Sequence, residues 1–64
     1  MNINNIKTMH ELNMILDAGY ESYSYVDDEF LPVYELRHHQ ELVNNFSSFE
    51  SLVFYVRKRG LYKF

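Results

Sequence analysis

The sequence predicts a small α+β domain in which a three-stranded antiparallel meander carries two helices on one face, in the order α-β-β-β-α. Two segments with helix-starting signals and apolar residues at helical spacing lie towards the ends, and three strand-like segments lie between them. The strand connections have hairpin length, which favours antiparallel pairing. A chain of 64 residues with 47% hydrophobic content suffices for one domain, so we expect residues 1–64 to form a single unit.

The first helix is predicted over residues 8–18. Thr8 and Glu11 have the spacing of a capping box, in which a hydroxyl and a carboxylate satisfy free amide groups at a helix start. Gly19 can adopt the left-handed conformation that ends a helix. Residues 1–7 are expected to be a flexible N-terminus. The apolar stripe of this helix consists of Met9, Leu12, Ile15 and Leu16.

Three strands are predicted between the helices. Residues 20–26 form the first strand, because residues 22–25 alternate large aromatic with small polar side chains, the period of a half-buried strand. Residues 31–37 form the second strand, because Pro32 lacks an amide hydrogen and belongs at a strand start or an edge. Residues 41–46 are predicted as the third strand, with a helical turn as the alternative.

The second helix has the strongest periodic signal in the chain. Ser47 and Glu50 repeat the capping-box spacing, and Gly60 follows the last predicted helical residue, Arg59. Residues 61–64 then form an apolar tail. The inward stripe at i, i+3, i+4 and i+7 consists of Phe49, Leu52, Val53 and Val56.

Strand alternation divides the sheet residues between two faces. The face towards the helices is predicted to carry Tyr23, Tyr25, Tyr34, Leu36, Leu42 and Phe46. The opposite face is predicted to carry Ser22, Ser24, Val33, Glu35, Arg37, Glu41, Val43 and Asn45. This second set is mixed in polarity, so it could face either water or a partner.

The charge is divided along the chain. All nine acidic residues lie between Glu11 and Glu50, where Arg37 is the only basic residue, whereas the remaining five basic residues lie nearer the ends. An acidic surface repels nucleic-acid phosphate and speeds association with a basic partner. The simpler interpretation is that the acidic groups keep the domain soluble and that Arg57, Lys58 and Arg59 complement a helix C-terminus.

Two surfaces are candidate protein-binding sites. Asp27, Asp28 and Glu29, followed by Phe30, form an acidic hairpin with an aromatic neighbour, a combination suited to a partner's Arg or Lys. The alternative is a solvated turn. The spacing of these carboxylates lacks the alternating oxygens and the glycine of a calcium loop.

The second surface lies on the outer side of the second helix. At about 100° per residue, Phe54 points about 140° away from Phe49, and Tyr55 lies on the flank. With Leu61, Tyr62 and Phe64 they are predicted to form an exposed apolar patch rimmed by the basic residues 57–59, and such a patch marks an interface or a homodimer contact. The alternative is that the tail folds back and covers Phe54.

We expect neither an enzyme nor a metal or cofactor site. His38 and His39 are neighbours on a turn and diverge, whereas a metal needs three or four converging ligands. The chain has no cysteine, and its length and two glycines exclude P-loop and Rossmann nucleotide sites. With no apolar run of membrane-spanning length and no secretory signal, we expect a cytoplasmic protein without a membrane partner.

The element order resembles that of the double-stranded-RNA-binding fold. The segments "LDAGY", "HH" and "RGL" are similar to those of HicA-type mRNA interferase toxins, which share that fold. The resemblance implies nucleic-acid binding or RNase activity as an alternative function. However, the predicted second helix opens with residues 47–50, SSFE, where the RNA-binding domains place lysines, so nucleic acid is the less favoured partner.

The favoured function is therefore a small non-enzymatic interaction module that binds another protein with a basic surface. Compact acidic domains of this kind are similar in character to phage-encoded inhibitors of host or defence enzymes.

Overall fold

The computed structural model describes residues 5–63, and the predicted fold is confirmed within them. The elements are α1 (Met9–Ile15), β1 (Tyr20–Val26), β2 (Pro32–His38), β3 (Glu41–Phe46) and α2 (Phe49–Arg59). The strands form one open antiparallel sheet in the order β1-β2-β3, so β1 and β3 are its edges. Both helices pack on the same face of this sheet.

Helix α1 begins as predicted but ends earlier. The Thr8 hydroxyl accepts the Glu11 amide and the Glu11 carboxylate accepts the Thr8 amide, both at 3.1 Å, which confirms the capping box. Leu16 then becomes extended, and the Asp17 amide donates to the Leu61 carbonyl at 3.0 Å instead of continuing the helix. The prediction that the helix reaches residue 18 is wrong, because a distant segment of the chain competes for its last hydrogen bonds.

The C-terminal segment supplies that competition. Leu16 and Tyr62 form an isolated antiparallel bridge, and the Lys63 amide donates to the Ile15 carbonyl at 2.7 Å. The side chains of Leu61 and Tyr62 are half-buried against the core. Residues 61–63 therefore belong to the packed fold.

Gly19 starts the turn into β1 rather than ending α1. Its φ of 89° is in the left-handed region, and its carbonyl accepts the His39 amide at 2.8 Å. A Cβ at this position would lie 2.7 Å from the Cε1 atom of His39. The turn thus requires glycine both for its backbone angle and for the close approach of the β2–β3 hairpin.

Helix α2 begins one residue later than its predicted cap. Ser48, not Ser47, is the N-cap, and its hydroxyl accepts the Ser51 amide at 3.2 Å. The predicted pairing of Ser47 with Glu50 is therefore wrong. The predicted stop at Gly60 is confirmed, since Gly60 has a φ of 66° and caps the carbonyls of the last turn.

The side chains of β1 face the opposite way to the prediction. Ser22 pairs directly with the fully buried Leu36, so Ser22 faces the helices and Tyr23 and Tyr25 lie on the open face. The reason is a polar contact in which the Asn13 side chain of α1 accepts the Ser22 amide at 2.8 Å and hydroxyl at 2.9 Å and donates to its carbonyl at 3.2 Å. Because serine is small, α1 can lie close to the edge strand, and the Asn13 side chain supplies the hydrogen-bond partners of the buried Ser22.

A bulge corrects the prediction for β3. Leu36 pairs with Asn44 but Arg37 pairs with Leu42, which leaves one extra residue in β3. An extra residue reverses the alternation on one side of the bulge. Leu42, predicted to be in the core, is therefore 50% exposed on the open face, whereas Phe46 faces the helices as predicted.

The core is small and lies between the two helices and β2. Its buried hydrophobic residues are Ile6, Leu12, Ile15, Leu16, Leu36, Leu52 and Val56. Of these seven residues, only Leu36 comes from the sheet. No element within residues 5–63 covers the other face of the sheet, so these residues form two layers.

Candidate protein-binding site

The β1–β2 hairpin loop is held by Asp27. Its carboxylate accepts the amides of Glu29 at 2.8 Å and Leu31 at 3.0 Å, and its carbonyl accepts the Phe30 amide at 3.0 Å. Asp27 is half-buried, so this member of the predicted acidic site organises the loop. The two carboxylates that face water are those of Asp28 and Glu29.

Phe30 has an unusual conformation at the end of this loop. Its φ of 62° is in the left-handed region, which bulky residues adopt only at a cost in energy. Its side chain is 87% exposed, so packing within the molecule does not repay that cost. The loop therefore presents a phenyl ring to solvent directly after two free carboxylates.

Apolar neighbours extend this surface. Val26 is 60% exposed at the end of β1, and Leu31 is 55% exposed at the start of β2. We call residues 26–31 the hairpin tip. Within it, an exposed aromatic ring, two exposed aliphatic side chains and two carboxylates share a loop that Asp27 fixes.

A second surface lies on the outer side of α2, as predicted. Phe54 is 52% exposed, and the described part of the tail does not cover it. Beside it is an open groove of about 490 Å³, which we call the α2 groove. Its lining consists of Phe46, Glu50, Ser51, Phe54, Tyr55, Lys58 and Arg59.

Aromatic rings form the apolar part of the groove, and cations lie beside them. The rings of Phe46 and Tyr55 are 5.3 Å apart, and the Arg59 guanidinium lies 4.7 Å from the centre of the Tyr55 ring. The Lys58 ammonium lies 5.7 Å from the Phe54 ring. Such cation–π contacts hold the charged groups next to the apolar surface.

The predicted patch on α2 and the tail is divided by the structure. Phe54 and Tyr55 line the groove, but Tyr62 pairs with Leu16 and is half-buried against the core. Phe64 lies outside the described residues. Tyr62 is therefore a packing residue, and the groove is completed by Phe46 from β3.

The sequence does contain a signal for Glu50 and Ser51, the two helix residues of the groove that were not predicted. Glu50, Phe54 and Lys58 are four apart, as are Ser51, Tyr55 and Arg59, so each set forms a row along one side of a helix. Phe46 carried no such signal, because its place in the groove depends on how β3 packs beside α2.

The open sheet face carries an ordered polar cluster around Glu35, which is only 8% exposed. Its carboxylate accepts the Tyr25 hydroxyl at 2.6 Å and the Arg37 Nε at 2.9 Å. The hydrogen bond from Tyr25 is the larger cause, and that from Arg37 the next, of a lowered pKa at Glu35. The hydrogen bond between Tyr25 and Glu35 also raises the pKa of the Tyr25 hydroxyl. The hydrogen bond from Tyr23 to Glu21 raises the pKa of Tyr23 in the same way.

The rings of the two histidines of the β2–β3 hairpin lie close together and do not diverge as predicted: His38 stacks on Tyr20, and His39 is tilted at 49° against His38. The His38 ring lies 4.2 Å from the Tyr20 ring and 4.2 Å from the His39 ring. Across residues 5–63, no three His, Asp or Glu side chains are grouped so that they could hold a metal ion. In the same residues, neither helix has the length and apolar character needed to cross a bilayer.

Comparison of the chain with protein-family models, curated proteins and solved structures finds no match. Its function is therefore inferred from its own residues.

Proposed function

We propose that this protein is a small non-enzymatic interaction module that binds a basic surface of another protein through its hairpin tip. One observation carries the proposal: Phe30 is 87% exposed in a left-handed conformation beside the exposed carboxylates of Asp28 and Glu29. An exposed aromatic ring becomes an anchor when it enters a partner's pocket. Carboxylates beside it select a partner that presents Arg or Lys.

The architecture of the tip supports this function. Three hydrogen bonds to Asp27 fix the loop, so little conformational entropy is lost when a partner binds it. The acidic stretch also gives the middle of the chain a field that attracts cationic surfaces before contact. We propose that the partner's basic site is blocked by this contact, in the manner of phage-encoded inhibitors of host or defence enzymes, and that this happens in the cytoplasm.

The proposal is tested by capture from native-host lysate with matched charge variants. The immobilised chain is compared with Asp28→Lys and with Glu41→Lys, which changes the net charge equally on an exposed side chain of the other hairpin. We expect a protein with a basic surface that binds the wild type and Glu41→Lys but not Asp28→Lys. A purified partner should then associate more slowly with Asp28→Lys. Equal recovery on all three baits would contradict a role for the tip.

Nucleic acid is the second candidate, and the exposed ring of Phe54 beside Lys58 favours it. Aromatic faces stack on bases, and cations pair with phosphates. The net charge of −3 opposes it. Binding of a labelled single strand or duplex at physiological salt, lost steeply as salt is raised and weakened by Phe54→Ser, would establish this function in place of protein binding.

A further inference from the structure

The α2 groove is open to solvent, and no side chain of residues 5–63 fills it. Phe46, Phe54 and Tyr55 give it an apolar floor and wall, and Lys58 and Arg59 place positive charge at one end. A complementary ligand carries an aromatic or aliphatic side chain with carboxylates one or two residues away. The volume of the groove, about 490 Å³, exceeds that of a phenylalanine side chain.

The hairpin tip of this same chain has the complementary chemistry. Phe30 follows Asp28 and Glu29 directly, and neither carboxylate has a hydrogen bond or ion pair within residues 5–63. Phe30 is 87% exposed, so the tip does not fill the groove of its own molecule. The tip is convex and the groove is concave. The two carboxylates of the tip are opposite in charge to Lys58 and Arg59, which outnumber Glu50, the one acidic residue of the groove lining.

We propose that the α2 groove is a docking site for the hairpin tip of a second copy of this chain. Phe30 of one molecule packs against Phe54 and Tyr55 of the next. The carboxylates of Asp28 and Glu29 pair with the Lys58 ammonium and the Arg59 guanidinium. The inference uses the tip of the proposed function as its ligand, but its receptor is a different surface.

The contact is head-to-tail, because the two surfaces that meet are different. A row of bound copies keeps a free groove on its first molecule and a free tip on its last, so association adds copies successively instead of closing as a symmetric dimer. A loop of six residues buries less than the roughly 800 Å² per partner of a standard interface, so the association is weak. Its charge pairs are exposed, so added salt weakens it further.

The arrangement makes self-association and partner binding compete. A tip held in the groove of a neighbouring copy is not available to a basic partner, and the partner must release it. Dilution therefore exposes the tip and concentration conceals it.

The test is sedimentation equilibrium over a range from micromolar to near-millimolar protein, with charge reversal on each side of the contact. We expect the average mass of the wild type to rise with concentration. Asp28→Lys with Glu29→Lys reverses the tip, and Lys58→Glu with Arg59→Glu reverses the groove. Each double variant alone should stay monomeric, and a one-to-one mixture should regain association, because tips and grooves of opposite charge are again present.

Two further variants guard against loss of folding. Phe54→Ser and Phe30→Ser remove exposed aromatic rings without altering a buried residue, and each should abolish the concentration dependence while circular dichroism remains that of the wild type. Glu41→Lys should associate as the wild type does. A wild type that stays monomeric throughout would overturn the proposal. Self-association that survives both charge reversals would do the same, since the copies would then meet elsewhere.

The groove variants separate this inference from the proposed function. Lys58→Glu with Arg59→Glu leaves the tip intact, so it should lose self-association and still capture the basic partner. A monomeric wild type that captures a partner refutes the groove and leaves the proposed function standing. Self-association through the groove, with no protein captured by the tip, refutes the proposed function alone.

Discussion

Phe30 is expected to lower the stability of the fold while it contributes to binding, so a substitution there should change the two in opposite directions. Glycine adopts a φ of 62° without the strain that a Cβ causes there, and little packing is lost because the ring is 87% exposed. We expect Phe30→Gly to raise the free energy of unfolding by about 1 kcal/mol, measured by urea denaturation. The same variant should lose both the partner and self-association.

Phe30→Leu is the matched control for that prediction. It retains a Cβ and hence the strain, so its free energy of unfolding should stay within about 0.5 kcal/mol of the wild type. A Phe30→Gly protein that is less stable than Phe30→Leu would contradict the strain assigned to this position.

Glu35 gives the open face a dependence on pH. Its folded-state pKa is lowered by the Tyr25 hydroxyl and then by Arg37, so its stabilising contribution is present above the unfolded-state value of about 4.3. That contribution is lost as the pH falls through the lower folded-state pKa. We therefore expect the melting temperature of Glu35→Gln to be lower than that of the wild type at pH 7, with the difference narrowing below about pH 4.

Glu41→Gln is the control, because Glu41 is exposed on the neighbouring hairpin and has no side-chain hydrogen bond within residues 5–63. Its melting curve should follow the wild type across the same range. A difference between Glu35→Gln and the wild type that is constant from pH 7 to pH 3 would mean that the carboxylate charge of Glu35 is not responsible.

At the scale of the elements, the start of α2 distinguishes two adjacent serines. Ser48 accepts the Ser51 amide, whereas the Ser47 side chain is exposed outside the cap. We expect Ser48→Ala to reduce the free energy of unfolding by about 1 kcal/mol and Ser47→Ala to change it by much less. Denaturant titration of the two variants measures both. Equal losses would place the cap elsewhere.

The same helix shows which features can be predicted from neighbouring residues in the sequence. The inward stripe of α2, the outward direction of Phe54 and the stop at Gly60 were predicted from the sequence, because each depends on residues within a few positions. The choice between Ser47 and Ser48 was not, since either serine has a polar residue three positions later. The end of α1 could not be predicted, because it depends on Leu61 and Tyr62 at the other end of the chain.

At the scale of the whole molecule, stability depends on a core to which the sheet contributes one buried hydrophobic side chain, Leu36. Leu36 is 0% exposed, whereas Leu42 on the next strand is 50% exposed. We expect Leu36→Ala to cost about 2–5 kcal/mol, comparable with the total stability of a domain this small, and hence to unfold it. Leu42→Ala should cost under about 1 kcal/mol. Far-ultraviolet circular dichroism distinguishes the two, and a folded Leu36→Ala protein would contradict this description of the core.

The faces of the sheet show why the order of elements was easier to predict than its orientation. Strand propensity identified β1, but a one-residue difference decides which side chains face the helices. The contact between Asn13 and Ser22 sets that choice, and both residues look like ordinary polar surface in the sequence. The bulge beside Leu36 then moves Leu42 to the open face. The candidate site was likewise predicted only in part. The sequence indicated the acidic loop and the exposed rings of Phe30 and Phe54, but it did not indicate that Phe46 of β3 lines the groove beside α2.

The Asn13 contact also limits how this sheet can grow. Asn13 occupies the amide and carbonyl of Ser22 on the outer edge of β1, so a strand arriving on that flank finds those groups already taken. On the flank formed by β3, the Asn44 side chain occupies one such group, because it accepts the Asn45 amide at 2.8 Å. If two copies were to join along β3, the resulting six-stranded sheet would carry an Asn13 contact at each outer margin, which would disfavour the addition of further strands there. The Asn13 contact thus protects the first strand against edge-to-edge pairing with another molecule, the step by which exposed edge strands start to form fibrils.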